Sequence, residues 1–356
     1  MQTLKILQRS GPWRHGQRCN ALQSGVQVPF HVAVARNAIR GCKQRTARWR
    51  TSQAKAGAAP ASLAPVSDVF VLDFDGVVVD SEPEITASAF EAAAIRWPGL
   101  FGPGALSDER RAALREAMRT VRPVLVKGYE SMVMLRLLLR DPNCVVTLRA
   151  ILGRWGEELP RALAEWGESE AELSKLFESV RNEWMTGRTE SWMALQVPYE
   201  GVTEALRGCP FPTYIASSKA AHRVAALSRA VLGLDLPADS PRLFASLLPP
   251  EEKKAEALST IGSRPLCAAA STRLHFVDDR LDTLRAVAAV PELAARWKLY
   301  LADWGYNTAE EREAAAREPG VRVLSLPEFN ELLRFGLVMG VDDGCEPTQE
   351  EVEAGV

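Results

Sequence analysis

The sequence predicts an α/β fold: a doubly wound parallel sheet with an all-helical segment inserted after its first strand. Three observations carry this expectation. Val69-Phe70-Val71-Leu72 is a short apolar run of the kind that forms a strand buried on both faces. The strand pattern returns at 211–216, 273–277, 297–301 and 321–325, with helical stretches between, and strands alternating with helices argue for a parallel sheet covered on both sides. Residues 83–197 show helical spacing and no strand alternation.

The elements follow in chain order. Residues 1–66 read as a transit segment and linker. The first 67 residues hold 11 Lys and Arg and no Asp or Glu, the pattern of an organellar transit peptide, and Ala56 to Ser67 is an Ala/Pro/Ser linker. A core domain is expected over 67–82 and 198–340. The insertion, 83–197, offers helices at Glu91–Arg96, Asp108–Thr120, Glu130–Arg140, Thr147–Trp155, Glu157–Trp166 and Glu170–Met185. Pro98-Gly99, Gly102-Pro103-Gly104, Asp141-Pro142 and Gly167 punctuate them, as Gly and Pro do at turns. Five of the nine tryptophans (97, 155, 166, 184 and 192) fall in this insertion, where packing between helices is their expected use. Residues 341–356 carry six acids and no Lys or Arg and read as a disordered tail.

The chemistry concentrates where strands end. Asp73 and Asp75 follow the first strand, where open α/β sheets hold their ligands. Side chains alternate along a strand, so these two start on one face, and paired carboxylates repel unless a cation or a shared proton offsets them. Phe211 to Lys219 is a second strand, ending in the hydroxyls of Ser217 and Ser218. Lys253-Lys254 opens a helix. Leu274 to Arg280 is a third strand, ending in Asp278-Asp279.

These four motifs, DFDG, IASSK, KKAEAL and HFVDDR, arrive in the order found in the haloacid-dehalogenase-like (HAD) hydrolase superfamily, and the chain resembles that superfamily over most of residues 67–335. The segments GYE, ESW and LYLADWGYNT further resemble a plant and algal group of such proteins. The resemblance implies a Rossmann-like core, with the insertion as a helical cap that closes over the site. It implies a phosphatase that cleaves a small phosphorylated metabolite with Mg²⁺ as cofactor. Asp73 would be the nucleophile that carries the phosphoryl group. Asp75 would be the general acid/base; dehalogenases lack an aspartate there, so its presence argues for phosphoryl transfer. Ser217, with Ser218 as the alternative, would bind a phosphoryl oxygen. Lys254, with Lys253 as the alternative, would neutralise the nucleophile. Asp73, Asp75 (through its carbonyl) and Asp279 would hold the metal, with Asp278 a further candidate. Asp282 lies three residues after Asp279, not the four of some branches, and reads as a helix N-terminal residue.

Arg119, Arg122 and Tyr129, within MRTVRPVLVKGYE, are the candidates for substrate contact from the insertion. Lys219 is equally a pocket residue or a solvated one. His275 reads as a core histidine. Two other readings stand beside the phosphatase: a phosphomutase that uses the same intermediate, and a fold kept as a binding scaffold. A receiver domain would not contain the helical insertion.

Composition narrows partners. Without the basic N-terminal segment the chain has 32 basic against 45 acidic residues. Nucleic-acid binding needs clustered cations, so it is not expected, and any phosphate site must be locally basic. No apolar run reaches 18 residues, so no membrane span is expected. The six cysteines form no CxxC pair and are expected as thiols. The N-terminal segment points to an organelle, and the resemblance to the plant and algal group implies a plastid, with a mitochondrion as the alternative, as the location of a soluble protein.

Overall fold

The computed structural model describes residues 67–338. The transit and tail expectations lie outside the described residues. The chain begins with β1 (Asp68–Leu72) and β2 (Val79–Asp80) and then enters seven helices: α1 (Glu82–Arg96), α2 (Pro98–Phe101), α3 (Asp108–Val121), α4 (Glu130–Leu138), α5 (Val145–Trp166), α6 (Glu170–Gly187) and α7 (Thr189–Met193). It returns through β3 (Val197–Pro198), α8 (Val202–Gly208), β4 (Thr213–Ala216), α9 (Ala221–Leu227), β5 (Leu243–Phe244), α10 (Pro250–Gly262), β6 (Arg273–Asp278), α11 (Leu281–Ala288), α12 (Pro291–Ala294), β7 (Trp297–Ala302), α13 (Ala309–Ala315), β8 (Val321–Leu324) and α14 (Leu326–Phe335).

Six strands form one sheet in the order β5-β4-β1-β6-β7-β8, all parallel. The period-two alternation of a strand divides β1 between two cores. Val69 and Val71 join a cluster with Leu258 and Ile261 of α10 and Leu284 and Val287 of α11. Phe70 and Leu72 join a cluster on the other face with Val202 of α8, Val224 of α9 and Phe329 of α14. Helices therefore cover both faces, and the expected doubly wound α/β sheet is the observed one. Each large apolar side chain buried this way contributes roughly 1.5–3 kcal/mol. Strand order reverses beside β1, since the chain fills one flank through β4 and β5 and the other through β6, β7 and β8. The ends of β4, β1 and β6 thus frame a crevice at a topological switch point.

The seven helices from α1 to α7 stand between β2 and β3, which pair antiparallel through Val79 and Pro198. Ile85 to Val180 supply a hydrophobic cluster of their own, including Trp97, Trp155 and Phe177, with Trp166 packed against it. Trp184 and Trp192 instead join the cluster under the sheet, so the last helices of the insertion are rooted on the sheet core. The two segments expected at 147–155 and 157–166 are two helices that meet within α5 across a kink at Arg154, whose backbone is not helical (φ −142°, ψ 32°); Pro160 lies in the second. The helix expected at Glu91 begins nine residues earlier, at Glu82.

Among the described residues Cys144, Cys209 and Cys267 are free thiols. No helix among them is long and apolar enough to cross a membrane.

Candidate active site

The crevice at the strand ends gathers three carboxylates. Asp73 follows β1 directly, and its N–H donates to the Val277 carbonyl at 2.9 Å. Asp278 closes β6, and Asp279 comes next. Oxygens of the three lie within 4.8 Å of one another, and all three residues are buried. Lys254, from the first turns of α10, places Nζ 2.8 Å from Asp73 Oδ2 and 2.6 Å from Asp278 Oδ2. Its neighbour Lys253 turns to solvent and pairs with Glu256. Lys254 is therefore the member of the pair that reaches the crevice.

Burial opposes charge here. It pushes the Asp73 carboxyl up to about 6, with Lys254 pulling it down and Asp278 adding to the rise. Burial, then the charges of Asp278 and Asp73, push Asp279 up to about 8. Burial also disfavours the Lys254 ammonium, but Asp278 and Asp73 outweigh it and hold the group protonated above the usual lysine value.

The surroundings fix Asp279 closely. Its Oδ2 accepts the Tyr306 N–H at 2.8 Å, and its carbonyl accepts from Asn307 Nδ2 at 2.9 Å. Gly76 has φ +83°, and a Cβ there would lie 2.0 Å from Asp279 Oδ2. Only glycine both adopts that backbone freely and leaves room for the carboxylate. The turn after Asp75 is closed by Gly76 N–H to the Val79 carbonyl at 2.9 Å.

Asp75 is half-buried and meets Lys219 Nζ at 3.0 Å. Lys219 is itself buried, its affinity for a proton lowered by burial and partly restored by Asp75. Ser217 is fully buried at the end of β4, and its Oγ accepts the Lys219 N–H at 3.2 Å. A cavity of about 340 Å³ opens onto this group. Asp73, Asp75, Ser218, Lys219, Lys254 and Asp279 form the sheet side of its wall. Ser218, not Ser217, reaches the wall.

The insertion forms the opposite wall. Of its three candidate contacts only Arg122 lines this cavity. Arg119 is half-exposed beside Asp80 and Glu82, in a separate cleft. Tyr129 is buried in the insertion's own hydrophobic cluster, where its ring adds to helix packing, and it does not line the cavity. Expectation of direct contact by these two is corrected accordingly.

Two arginines that sequence reading passed over stand in the wall instead. Arg181 of α6 is held bidentately by Glu84 of α1 at 2.9 and 2.7 Å. Arg223 of α9 reaches across to Glu178 at 2.6 Å and Asn182 at 2.8 Å on α6. Their partners lie 97 and 45 residues away in the chain, so no local pattern marks them. His275 is away from the cavity: Nε2 is 2.8 Å from Asp68 Oδ1 and Nδ1 is 3.2 Å from the Tyr300 hydroxyl. Asp282 sits in the first turn of α11.

No family model matches the sequence, and no curated protein matches it. Solved structures similar to the chain include a predicted phosphatase from Clostridium acetobutylicum, at 12% identity and a TM-score of 0.45, covering 75% of this chain and 97% of that one. A HAD family hydrolase from Deinococcus radiodurans R1, solved with bound phosphate and sodium, is 18% identical with a TM-score of 0.40, over 78% of this chain and 100% of that one. A predicted phosphoglycolate phosphatase from Haemophilus somnus 129PT is 12% identical with a TM-score of 0.39, over 71% of this chain and 92% of that one.

Proposed function

We propose that the protein is a Mg²⁺-dependent phosphatase that hydrolyses a small organic phosphate monoester through a phosphoryl group carried on Asp73. The supporting observation is a charge imbalance: three buried carboxylates, Asp73, Asp278 and Asp279, share one ammonium, Lys254. A hard divalent cation with oxygen ligands suits what remains uncompensated. Asp73, Asp279 and the Asp75 carbonyl would hold it, with Asp278 as a further ligand. When bound, it would neutralise charge on the phosphoryl oxygens.

The side chains divide the remaining work. Lys254 keeps Asp73 ionised against its burial, so a carboxylate oxygen can attack phosphorus. The bond from phosphorus to the ester oxygen breaks as the acyl phosphate forms, and Asp75 gives that oxygen a proton. Asp75 then takes a proton from the water that attacks the acyl phosphate, which releases phosphate and restores Asp73. Ser218, on the cavity wall, would donate its hydroxyl proton to a phosphoryl oxygen; Ser217, buried beside it with its oxygen accepting the Lys219 N–H, is the alternative donor. The helical insertion acts as a cap that keeps bulk water out of the cavity. The acid-free, basic N-terminal segment would direct the protein to a plastid, with a mitochondrion as the alternative.

The test is phosphate release by the full chain from an aryl phosphate, with Mg²⁺ and then with excess chelator. Release that needs the metal and disappears in Asp73→Asn is expected, and Asp75→Asn should lower kcat roughly 10²–10⁴-fold, the range of a lost general acid/base. Metal-independent release, or full activity in Asp73→Asn, would contradict the reading.

A further inference from the structure

Most cations on the cavity wall have a carboxylate partner. Lys254 has Asp73 and Asp278, Lys219 has Asp75, Arg181 has Glu84, Arg223 has Glu178, and Lys127 has Glu170. Arg122 and Arg280 have none: no carboxylate oxygen lies within 4.0 Å of either guanidinium among the described residues. Both line the cavity, one from the insertion and one from the residue after Asp279.

These two groups also converge. Arg122 Nη1 and Arg280 Nη1 each reach the Leu125 carbonyl, both at 3.3 Å, and Arg280 Nη1 is 3.4 Å from the Pro123 carbonyl. One carbonyl oxygen thus shares two long contacts from two guanidinium groups. Their Nε atoms are buried without a partner, and their Nη2 groups make no hydrogen bond within the described residues. Arg122 is 9% exposed and stacks on the Tyr306 ring, 3.8 Å from its centroid, which leaves the edge of its planar fork available. Adjacent like charges repel, and for the buried Arg122 a charge without an anionic partner is costly, while Arg280 is only partly buried. An anion between them would remove both costs, and arginine forks suit carboxylate and phosphate geometry.

We infer that Arg122 and Arg280 form a second anion subsite in the same cavity, so that the preferred substrate is a phosphate monoester bearing a further carboxylate or phosphate group. This rests on the phosphatase reading for the identity of the reacting group. Lys254, Arg181 and Arg223 already face carboxylates, which weakens their competition for the second anion. A cavity of about 340 Å³ limits the substrate to a small molecule.

Binding of inert phosphonates tests this without turnover. Alkylphosphonates of two to four carbons ending in methyl, hydroxyl, carboxylate or a second phosphonate are titrated calorimetrically into the full chain with Mg²⁺. Charged ends are expected to tighten binding about tenfold or more over the hydroxyl end of equal length, the effect of one charge-assisted hydrogen-bonded contact. A carboxylate preference identifies one source of the anion and a phosphonate preference the other. The advantage should shrink towards onefold in Arg122→Gln and in Arg280→Gln, and Arg280→Lys should restore part of it. Equal binding of charged and uncharged ends by the unaltered protein overturns the inference, as does the absence of binding by any charged-end phosphonate. Failure of phosphate release with these preferences intact would instead remove the phosphatase reading and leave a two-anion binding site.

Discussion

Lys254 is one ammonium among three carboxylates, and nearly all of its side chain is out of water. Removing one partner from a buried ionic group typically costs about 3–5 kcal/mol, so Lys254→Met is expected to destabilise by that order and to abolish activity. Lys253→Met should change stability by no more than about 0.5 kcal/mol, as exposed substitutions do. Urea unfolding of both variants checks the contrast, and equal losses would contradict the placement of Lys254. Asp68 offers a pH test away from the cavity. Burial would raise its carboxyl, but hydrogen bonds from His275 and Arg273 override that and hold it far below its unfolded value of 3.8. Burial lowers the proton affinity of His275 and Asp68 partly restores it; Nε2, facing an acceptor-only carboxylate, donates to Asp68, and Nδ1 lies 3.2 Å from the Tyr300 hydroxyl. A carboxyl depressed in the folded state contributes stability above its unfolded value and loses it as pH falls through the folded one. The unfolding free energy should therefore drop on acidification below about pH 4, and less steeply in Asp68→Asn. Parallel pH profiles for the two proteins would count against this account.

The helix α1 has no side-chain cap from its own N-terminal residue. The Tyr306 hydroxyl, from the loop after β7, accepts the Ser81 and Glu82 N–H groups at 2.7 and 3.0 Å and donates to Asp80 at 2.8 Å. Its backbone N–H meanwhile holds Asp279. One residue thus joins the neck of the insertion to the carboxylate cluster. Loss of a cap costs typically about 1 kcal/mol, so Tyr306→Phe should lower stability by that amount in chemical denaturation; no change would mean that the cap is idle. This element also marks how far the sequence could be read. Strands β1, β6 and β7 were legible because burial on both faces requires continuous apolar runs. Strands β2, β3 and β5 are two residues each, too short to leave a periodic signal. The four strand-end and helix-start motifs were legible because each needs a particular residue beside a recognisable element. Arg181, Arg223 and Arg280 were not: on a helix or loop an arginine looks solvated until a distant carboxylate or carbonyl is folded against it.

At the scale of the whole molecule, the cavity exists only because two walls from distant parts of the chain meet. Arg223 with Glu178 and Asn182, and Arg280 with the carbonyls of Pro123 and Leu125, are among the contacts that cross from sheet to insertion. The sheet wall supplies the acids together with Lys219 and Lys254, and the two arginines of the inferred subsite come one from each wall, Arg280 from the sheet side and Arg122 from the insertion. Passage of the phosphoryl group through Asp73 is the step on which the proposed chemistry turns. The most direct measurement is to stop the full chain during turnover of an aryl phosphate, reduce any acyl phosphate with borohydride, and locate the modification by peptide mass. Modification is expected at Asp73 alone, dependent on substrate and Mg²⁺ and absent from Asp73→Asn. Phosphate release with Asp73 unmodified, or modification at a different residue, would contradict it.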